Sequence, residues 1–550
     1  MAGFIGRVQS ASEDARVGAM RRTPLAALLG VLLAVVFAAP VVRAQTLPTG
    51  FVDEQLVPGL NFPTSFEFLP DGRVLFVEQT SFRVRMIQGG ALSIVDPVLT
   101  VPEVRPGPER GLLGIAVDPR WPAEPYLYVH STSTTGRIRI SRFRVSGDLD
   151  GTAGTGLSAD PASRMDLIDD IPDAQFNHNG GTVRFGPDQL MYVTLGEDAV
   201  PCAAQDTVSL RGVVLRIEVR LIPDGPGRAT RAQITPASNP YALHPDTNAR
   251  LVAVSGLRNP FRLQIDPVRR WLLIGDVGQV THEELDVVRL PGSTGTLGGT
   301  LGADFGWPWF EGPAPFSTCT GSSAGRIAPS YSYDRSGAGS ASIMVAGAYR
   351  PQAAAADWPA EYHGDVFMSD YYSGVLRRLR VSGNAFAVAP AVAGQPSATN
   401  WAIGFAAASD YRVGSDGSFW YLRQAVNFQP NSGSLRRIVF VGDTLPPPPP
   451  PPPPAPGEFA LQLLVAPQPA IGTATISITP TSRARISVRI HDLTGRVVRT
   501  LLEGSDRAAG RHDLFWDGLE DSGREAPAGI YVVRADTEQL SRSHRLVLIR

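Results

Sequence analysis

Between residues 65 and 421 the chain repeats one short pattern six times: an apolar run, a turn rich in Asp, Gly or Pro, then an aromatic-rich run. The copies are Ser65–Val77, Leu113–Pro119 leading to Tyr126–Val129, Val183–Val193, Leu263–Pro267 leading to Trp271–Ile274, a degenerate Tyr362–Asp370, and Tyr411–Tyr421. Period-two alternation broken by a tight turn is the signature of a β-hairpin. A lone hairpin cannot bury its apolar face, so repeated hairpins must pack on one another. No long segment of helical period competes. Intervals of roughly 50 to 95 residues suit radially arranged four-stranded sheets. The pattern predicts an all-β fold, a six-bladed β-propeller over residues 45–442, with the longer intervals forming loops on one face. A pair of β-sandwiches is the rival arrangement.

Composition agrees. Of 550 residues, 56 are Gly and 48 Pro, which favours many turns, while 43% are hydrophobic, enough for a large core. Basic and acidic residues number 50 and 52, so no polybasic field exists to hold nucleic acid or an anionic membrane. All the basic residues are arginine. Without lysine there is neither a Walker-type phosphate loop nor Schiff-base chemistry.

The sequence divides further at both ends. Met20-Arg21-Arg22 precedes an apolar stretch from Pro24 to Pro40, and Val42-Arg43-Ala44 fits a small-x-small cleavage site. Residues 1–44 are therefore expected to be a signal-peptide region, with Met20 a candidate start, and the mature chain to be secreted or periplasmic. Residues 443–457 contain nine consecutive prolines, Pro446–Pro454. They predict a polyproline II spacer of roughly 28 Å at about 3.1 Å per residue. Beyond it, residues 458–550 carry short alternating strands (Ala474–Ile478, Ile486–Ile490, Val497–Leu502, Ile530–Arg534), read as a small β-sandwich. Export would permit a disulfide between Cys202 and Cys319, but the sequence leaves their pairing open.

Several loop motifs could carry chemistry. Asn177-His178-Asn179-Gly180-Gly181 stands just before the third hairpin, where an imidazole can face a central cavity and act as a base. The same hairpin ends in Gly196-Glu197-Asp198, whose carboxylate could orient that imidazole. Gly256-Leu257-Arg258-Asn259-Pro260 offers a guanidinium fork and an amide for an anionic oxygen. The glycine-containing loop Gly275–Glu284, with Gly278 and Glu283, has the backbone carbonyls and carboxylates that suit Ca²⁺. Glu109, in Gly107–Gly114, could reach the cavity mouth, whereas Phe305-Gly306-Trp307-Pro308 reads as packing and turn.

Taken in order, Leu69–Gly72, Glu109–Gly114, His178–Gly181, Phe185–Asp188, Gly256–Pro260, Gly275–Gln279 and Phe305–Pro308 resemble the soluble glucose/sorbosone dehydrogenase family of six-bladed quinoproteins. The resemblance spans about residues 50–440. It implies pyrroloquinoline quinone (PQQ) over the central cavity with Ca²⁺ beside it, an aldose sugar as substrate and an external electron acceptor. It assigns to His178 the proton of the sugar C1 hydroxyl as hydride passes to the quinone. It makes Glu197 the support of His178, and Arg258 and Asn259 contacts of the quinone, with Glu109 where the best-known members have Gln. The family's cofactor-site lysine has no counterpart, since Tyr372 stands near its place. The paired arginines before the last hairpin are missing, which leaves Arg350 and Arg412 as replacement partners for the PQQ carboxylates, and Val277 replaces a calcium-ligating side chain. Divergent members of this fold that bind carbohydrate or protein without turnover supply the alternative reading; a lactone-hydrolase propeller lacks an evident carboxylate ligand set. His491–Arg496, Trp516–Gly518 and Pro527–Tyr531 resemble the immunoglobulin-like (FlgD-like) domain of the flagellar hook cap, implying a role in cell-surface attachment.

Overall fold

A computed structural model describes residues 45–442, apart from 318, 336–339 and 352–356, and residues 461–549, apart from 467–469 and 493–494. The signal region and the proline spacer lie outside the described residues. The chain forms two compact units, one up to Gly442 and one from Asp443.

The first unit is a six-bladed propeller. The innermost strand and its hairpin partner in each blade are Pro63–Phe68 with Val74–Glu78, Leu112–Val117 with Tyr126–Thr132, Val183–Phe185 with Met191–Leu195, Pro260–Asp266 with Trp271–Asp276, Ile343–Ala348 with Val366–Asp370, and Ala408–Val413 with Phe419–Arg423. The innermost strands neighbour one another in cyclic order and the sixth returns to the first, closing the ring. The ring is latched by Phe51–Leu60, which pairs antiparallel with Gly433–Phe440 as the outer strand of the last blade. The first segment of the propeller thus completes its final sheet, and no blade is left open at the seam.

Each blade is buried on both faces, and the alternation shows how. In the wholly buried strand Trp271–Asp276, Leu272 and Ile274 pack toward the third blade with Tyr192 and Val254. Trp271 and Leu273 pack toward the fifth with Ile343 and Met368. Equivalent apolar clusters fill every other gap between neighbouring blades. Five of the six sequence hairpins are the inner pairs of blades. The fifth copy is a correction: Val366–Asp370 is a second strand, and its partner Ile343–Ala348 lies across a long connection. The turn-like His363-Gly364-Asp365 is the end of that connection.

The propeller axis is plugged by polar side chains from four blades. Asp410 accepts from both Arg184 Nη2 (2.6 and 2.8 Å) and Ser65 Oγ (2.9 Å), and from Gln264 Nε2 (3.2 Å). Arg262 donates to the carbonyls of Ser409 and Thr64, each at 2.6 Å.

The second unit is a β-sandwich. Its three-stranded sheet contains Leu461–Ala466, Ala474–Pro480 and His512–Trp516; the facing sheet is built on Ala484–His491, Val497–Arg507, Gly529–Asp536 and Ser541–Ile549. Trp516 is fully buried, edge-on to Tyr531 at 5.6 Å.

Candidate functional site

Because each inner strand runs antiparallel to its partner, the start of the first and the end of the second emerge at the same end of the propeller. Loops from those positions enclose a cavity of about 580 Å³ lined by Glu109, His178, Arg258, Asn259 and Gly278, together with Gln79, Gln279, Arg335 and the rings of Phe62, Phe261, Tyr371, Tyr372 and Phe428. Residues far apart in sequence, Glu109 through Gly278, thus meet as the motifs predict.

His178 sits in the left-handed region at φ 61°, an uncommon conformation for a non-glycine residue. Its amide donates to Glu109 Oε2 (2.7 Å), and the same carboxylate oxygen accepts from Asn259 Nδ2 (3.3 Å). Glu109 is therefore a brace for the histidine loop as well as part of the wall. Nδ1 of the imidazole is paired with fully buried Glu197. Nε2 accepts from Arg258 Nη2 at 2.8 Å. This places the proton on Nδ1 and leaves Nε2 as the acceptor atom facing the guanidinium. The fit is tight: at Gly196, one residue before Glu197, a Cβ would lie 2.1 Å from the His178 carbonyl. Asp198, by contrast, is structural, accepting the amides of Ala174 and Gln175 and pairing with Arg211.

Arg258 and Asn259 are fixed through their backbones. Asp276 accepts their amides at 2.8 and 2.7 Å. Burial pushes the Asp276 carboxyl up to about 7, against the pull of those donors. The Arg258 guanidinium is buried, and burial lowers its pKa. Among described residues its hydrogen bonds go only to neutral acceptors: Gln279 Oε1, Val277 O (2.7 Å) and His178 Nε2. Trp307 lies under it, 5.6 Å from guanidinium carbon to ring centre, so Phe305–Pro308 packs as expected. Cys202 and Cys319 are disulfide-bonded. The bond anchors Cys319 to the turn Pro201–Gln205, where Gln205 donates to the Trp307 carbonyl at 2.7 Å.

The two proposed quinone partners are elsewhere. Arg350 follows the end of an inner strand, at the end of the propeller away from the cavity, and is paired with Asp266 (2.8 Å). Arg412 lies near the far end of its inner strand, paired with Glu67 (2.5 Å). The cation that does reach the cavity beside Arg258 is Arg335, which the sequence reading missed. It follows Tyr331–Asp334, an extra strand added to the fourth blade against His282–Leu285. Arg335 Nη1 donates to Gly278 O and to Glu283 Oε1, both at 2.6 Å. Those are the two expected calcium ligands. Burial pushes Glu283 up to about 8, partly offset by Arg335. No group of His, Cys, Asp and Glu among the described residues is spaced to hold a metal ion. With Arg335 Nη1 on both oxygens, the expected ligands do not fit Ca²⁺ as arranged. Glu311 is a second missed residue: it gathers the amides of Gln279, Val280 and Thr281 at 2.5–3.0 Å and holds the loop that carries Gly278.

Residues 60–423 match the Glucose / Sorbosone dehydrogenase family over most of the propeller. The chain belongs to that family. Residues 468–541 match the FlgD Ig-like domain. Among curated relatives, the chain is 27% identical over 217 residues to HIPL2 protein of Arabidopsis thaliana, spanning 36% of this chain and 29% of that protein. It is 25% identical over 264 residues to aldose sugar dehydrogenase YliI of Escherichia coli, spanning 46% and 61% respectively. The matches thus cover less than two thirds of either relative. Among solved structures, the PQQ-bound aldose sugar dehydrogenase of Streptomyces coelicolor aligns with 72% of this chain and 99% of its own at 22% identity and a TM-score of 0.50, a likeness of fold.

Proposed function

We propose that the propeller is an exported quinoprotein oxidoreductase that oxidises the C1 hydroxyl of an aldose, with PQQ as the bound acceptor. The observation that carries this reading is His178, held by Glu197 on one nitrogen and presenting the other to the cavity beside Arg258. The lining suits PQQ. Two guanidinium groups, Arg258 and Arg335, face an anionic ligand, and aromatic rings suit a planar one. PQQ, when bound, supplies the two-electron acceptor that no side chain offers. The protein's own part is proton handling and positioning. Nε2 of His178 takes the hydroxyl proton while Glu197 stabilises the imidazolium that results. For that, the substrate hydroxyl must displace Arg258 from Nε2. The guanidinium keeps Gln279 and the Val277 carbonyl as partners when it does. Electrons then leave to an external acceptor, and the C-terminal sandwich is the candidate attachment to the cell surface.

One observation favours the alternative, a propeller that binds carbohydrate or protein without turnover: Nε2 already has a hydrogen-bond partner in Arg258. The two readings separate on purified protein supplied with PQQ and a panel of aldoses, with a redox dye as acceptor. Dye reduction that requires both PQQ and sugar supports the oxidoreductase. Sugar binding without dye reduction supports the binding module.

A further inference from the structure

The loop between Gly275 and Glu284 is shaped like a cation site and contains a cation, but the cation is a side chain. Gly278 O and Glu283 Oε1 converge on a single atom, Arg335 Nη1, at 2.6 Å each. The second Glu283 oxygen is occupied by the Ile343 amide at 2.9 Å. Behind the Gly278 carbonyl, Glu311 ties down three successive amides of the loop, so the carbonyl's direction is fixed. Gly278 itself permits no side chain, because a Cβ there would lie 1.6 Å from the His282 carbonyl. The Arg335 side chain is 13% exposed and lines the cavity. Its Nε and Nη2 donate no hydrogen bond to the described residues. A guanidinium is permanently charged and presents planar paired donors matched to a carboxylate.

We propose that Arg335 replaces a divalent cation at this wall, so that the chain binds a carboxylate-bearing ligand without calcium. The proposal deepens the quinoprotein reading and rests on its anionic ligand, but its cation half is testable separately. A built-in cation differs from a bound one in three ways. It cannot be stripped by a chelator, it fixes the distance between the Gly278 loop and the ligand, and it adds a directional fork rather than a spherical charge.

The test uses the full chain, treated with chelator, and two probes. The first is PQQ, titrated by calorimetry with excess chelator or with millimolar Ca²⁺. The expected result is the same affinity in both for the wild type, and a loss of about tenfold or more in chelator for Arg335→Ala, the size of a charge-assisted contact. The second probe is Ca²⁺ alone, followed by melting temperature. It should leave the wild type unchanged and raise that of Arg335→Ala, whose Gly278 and Glu283 oxygens are freed. A wild type that loses PQQ affinity tenfold on chelation, or is stabilised by Ca²⁺ in a manner abolished by Glu283→Gln, overturns the proposal. So does Ca²⁺ that moves neither protein, or an Arg335→Ala variant whose PQQ affinity is intact. If PQQ fails to bind the wild type while the calcium result holds, the replacement stands and the quinoprotein reading falls. Should Arg335→Ala misfold, Arg335→Gln keeps the size and removes the charge, and the wild-type measurements decide without any variant.

Discussion

Asp410→Asn is the sharpest test of how the propeller is held together beneath its cavity. Asp410 is fully buried and sits between Arg184 and Arg262 on the axis, with Ser65, Phe66 and Gln264 also donating to it. Burial alone would raise its carboxyl, but Arg184, Arg262 and Arg412 outweigh it and hold the group down to about 2, from an ordinary 3.8. At about 1.4 kcal/mol per tenfold in acidity, that difference is worth roughly 2.5 kcal/mol. Removing one partner of a buried ion pair typically costs about 3–5 kcal/mol, because the other charge stays buried. The two routes bracket about 2.5–5 kcal/mol. With roughly 2.1 cal/mol/K of unfolding entropy per residue and about 400 residues in the propeller, the melting temperature should fall by about 3–6 °C at pH 7. The pH dependence fixes the mechanism. A depressed carboxyl contributes fully above its unfolded pKa and loses that contribution as pH falls through its folded one. The gap between wild type and variant should therefore narrow from pH 4 toward pH 2.5. Calorimetry, with hydrogen exchange in Pro260–Asp266 and Ala408–Val413 to identify the propeller transition, measures both. A shift under 1 °C at pH 7, or a deficit that persists unchanged at pH 2.5, would show that the Asp410 carboxylate does not hold the axis in this way.

Other expectations follow from the same structure. Replacing Cys202 and Cys319 by Ser opens a loop spanning 117 residues; the chain-entropy relation gives up to about 5 kcal/mol, seen as a lower melting temperature that reductant reproduces in the wild type. Asp276, raised to about 7, and Glu283, raised to about 8, stabilise the fold most below pH 4, and that contribution is lost as pH rises through 7 to 8. Melting curves from pH 4 to 8.5 should show the fall, and Asp276→Asn should flatten its lower part. Removing residues 443–550 should leave ligand affinity unchanged in a titration, since every candidate site residue lies in the first unit.

Much of the site was legible because its residues flank strand ends. Glu109, His178 and Asn259 each stand just before an inner strand, and Glu197 and Gly278 just after a second strand. Once a hairpin repeat is recognised, those positions fall at one end of the ring. Arg350 and Arg412 misled because they stand at the opposite ends of inner strands, those of the fifth and sixth blades, a distinction that needs strand direction and length. Arg335 was invisible for a different reason: it comes from an extra strand on the fourth blade that no turn signature announces. The axial pair Arg184–Asp410 joins residues 226 apart, and no local pattern marks either. The fifth blade shows the limit of hairpin reading, since its two inner strands are separated by a connection long enough to hide the pairing.

The most direct measurement of the central claim is a single turnover. Protein loaded with PQQ is mixed anaerobically with excess aldose, and quinone absorbance is followed by stopped flow for the wild type and for His178→Gln. The quinone should be reduced in the wild type and at least about a hundredfold more slowly in the variant, the worth of a positioned base, while both bind PQQ equally. Bound PQQ that stays oxidised in the wild type, or reduction at the same rate without the imidazole, would contradict it.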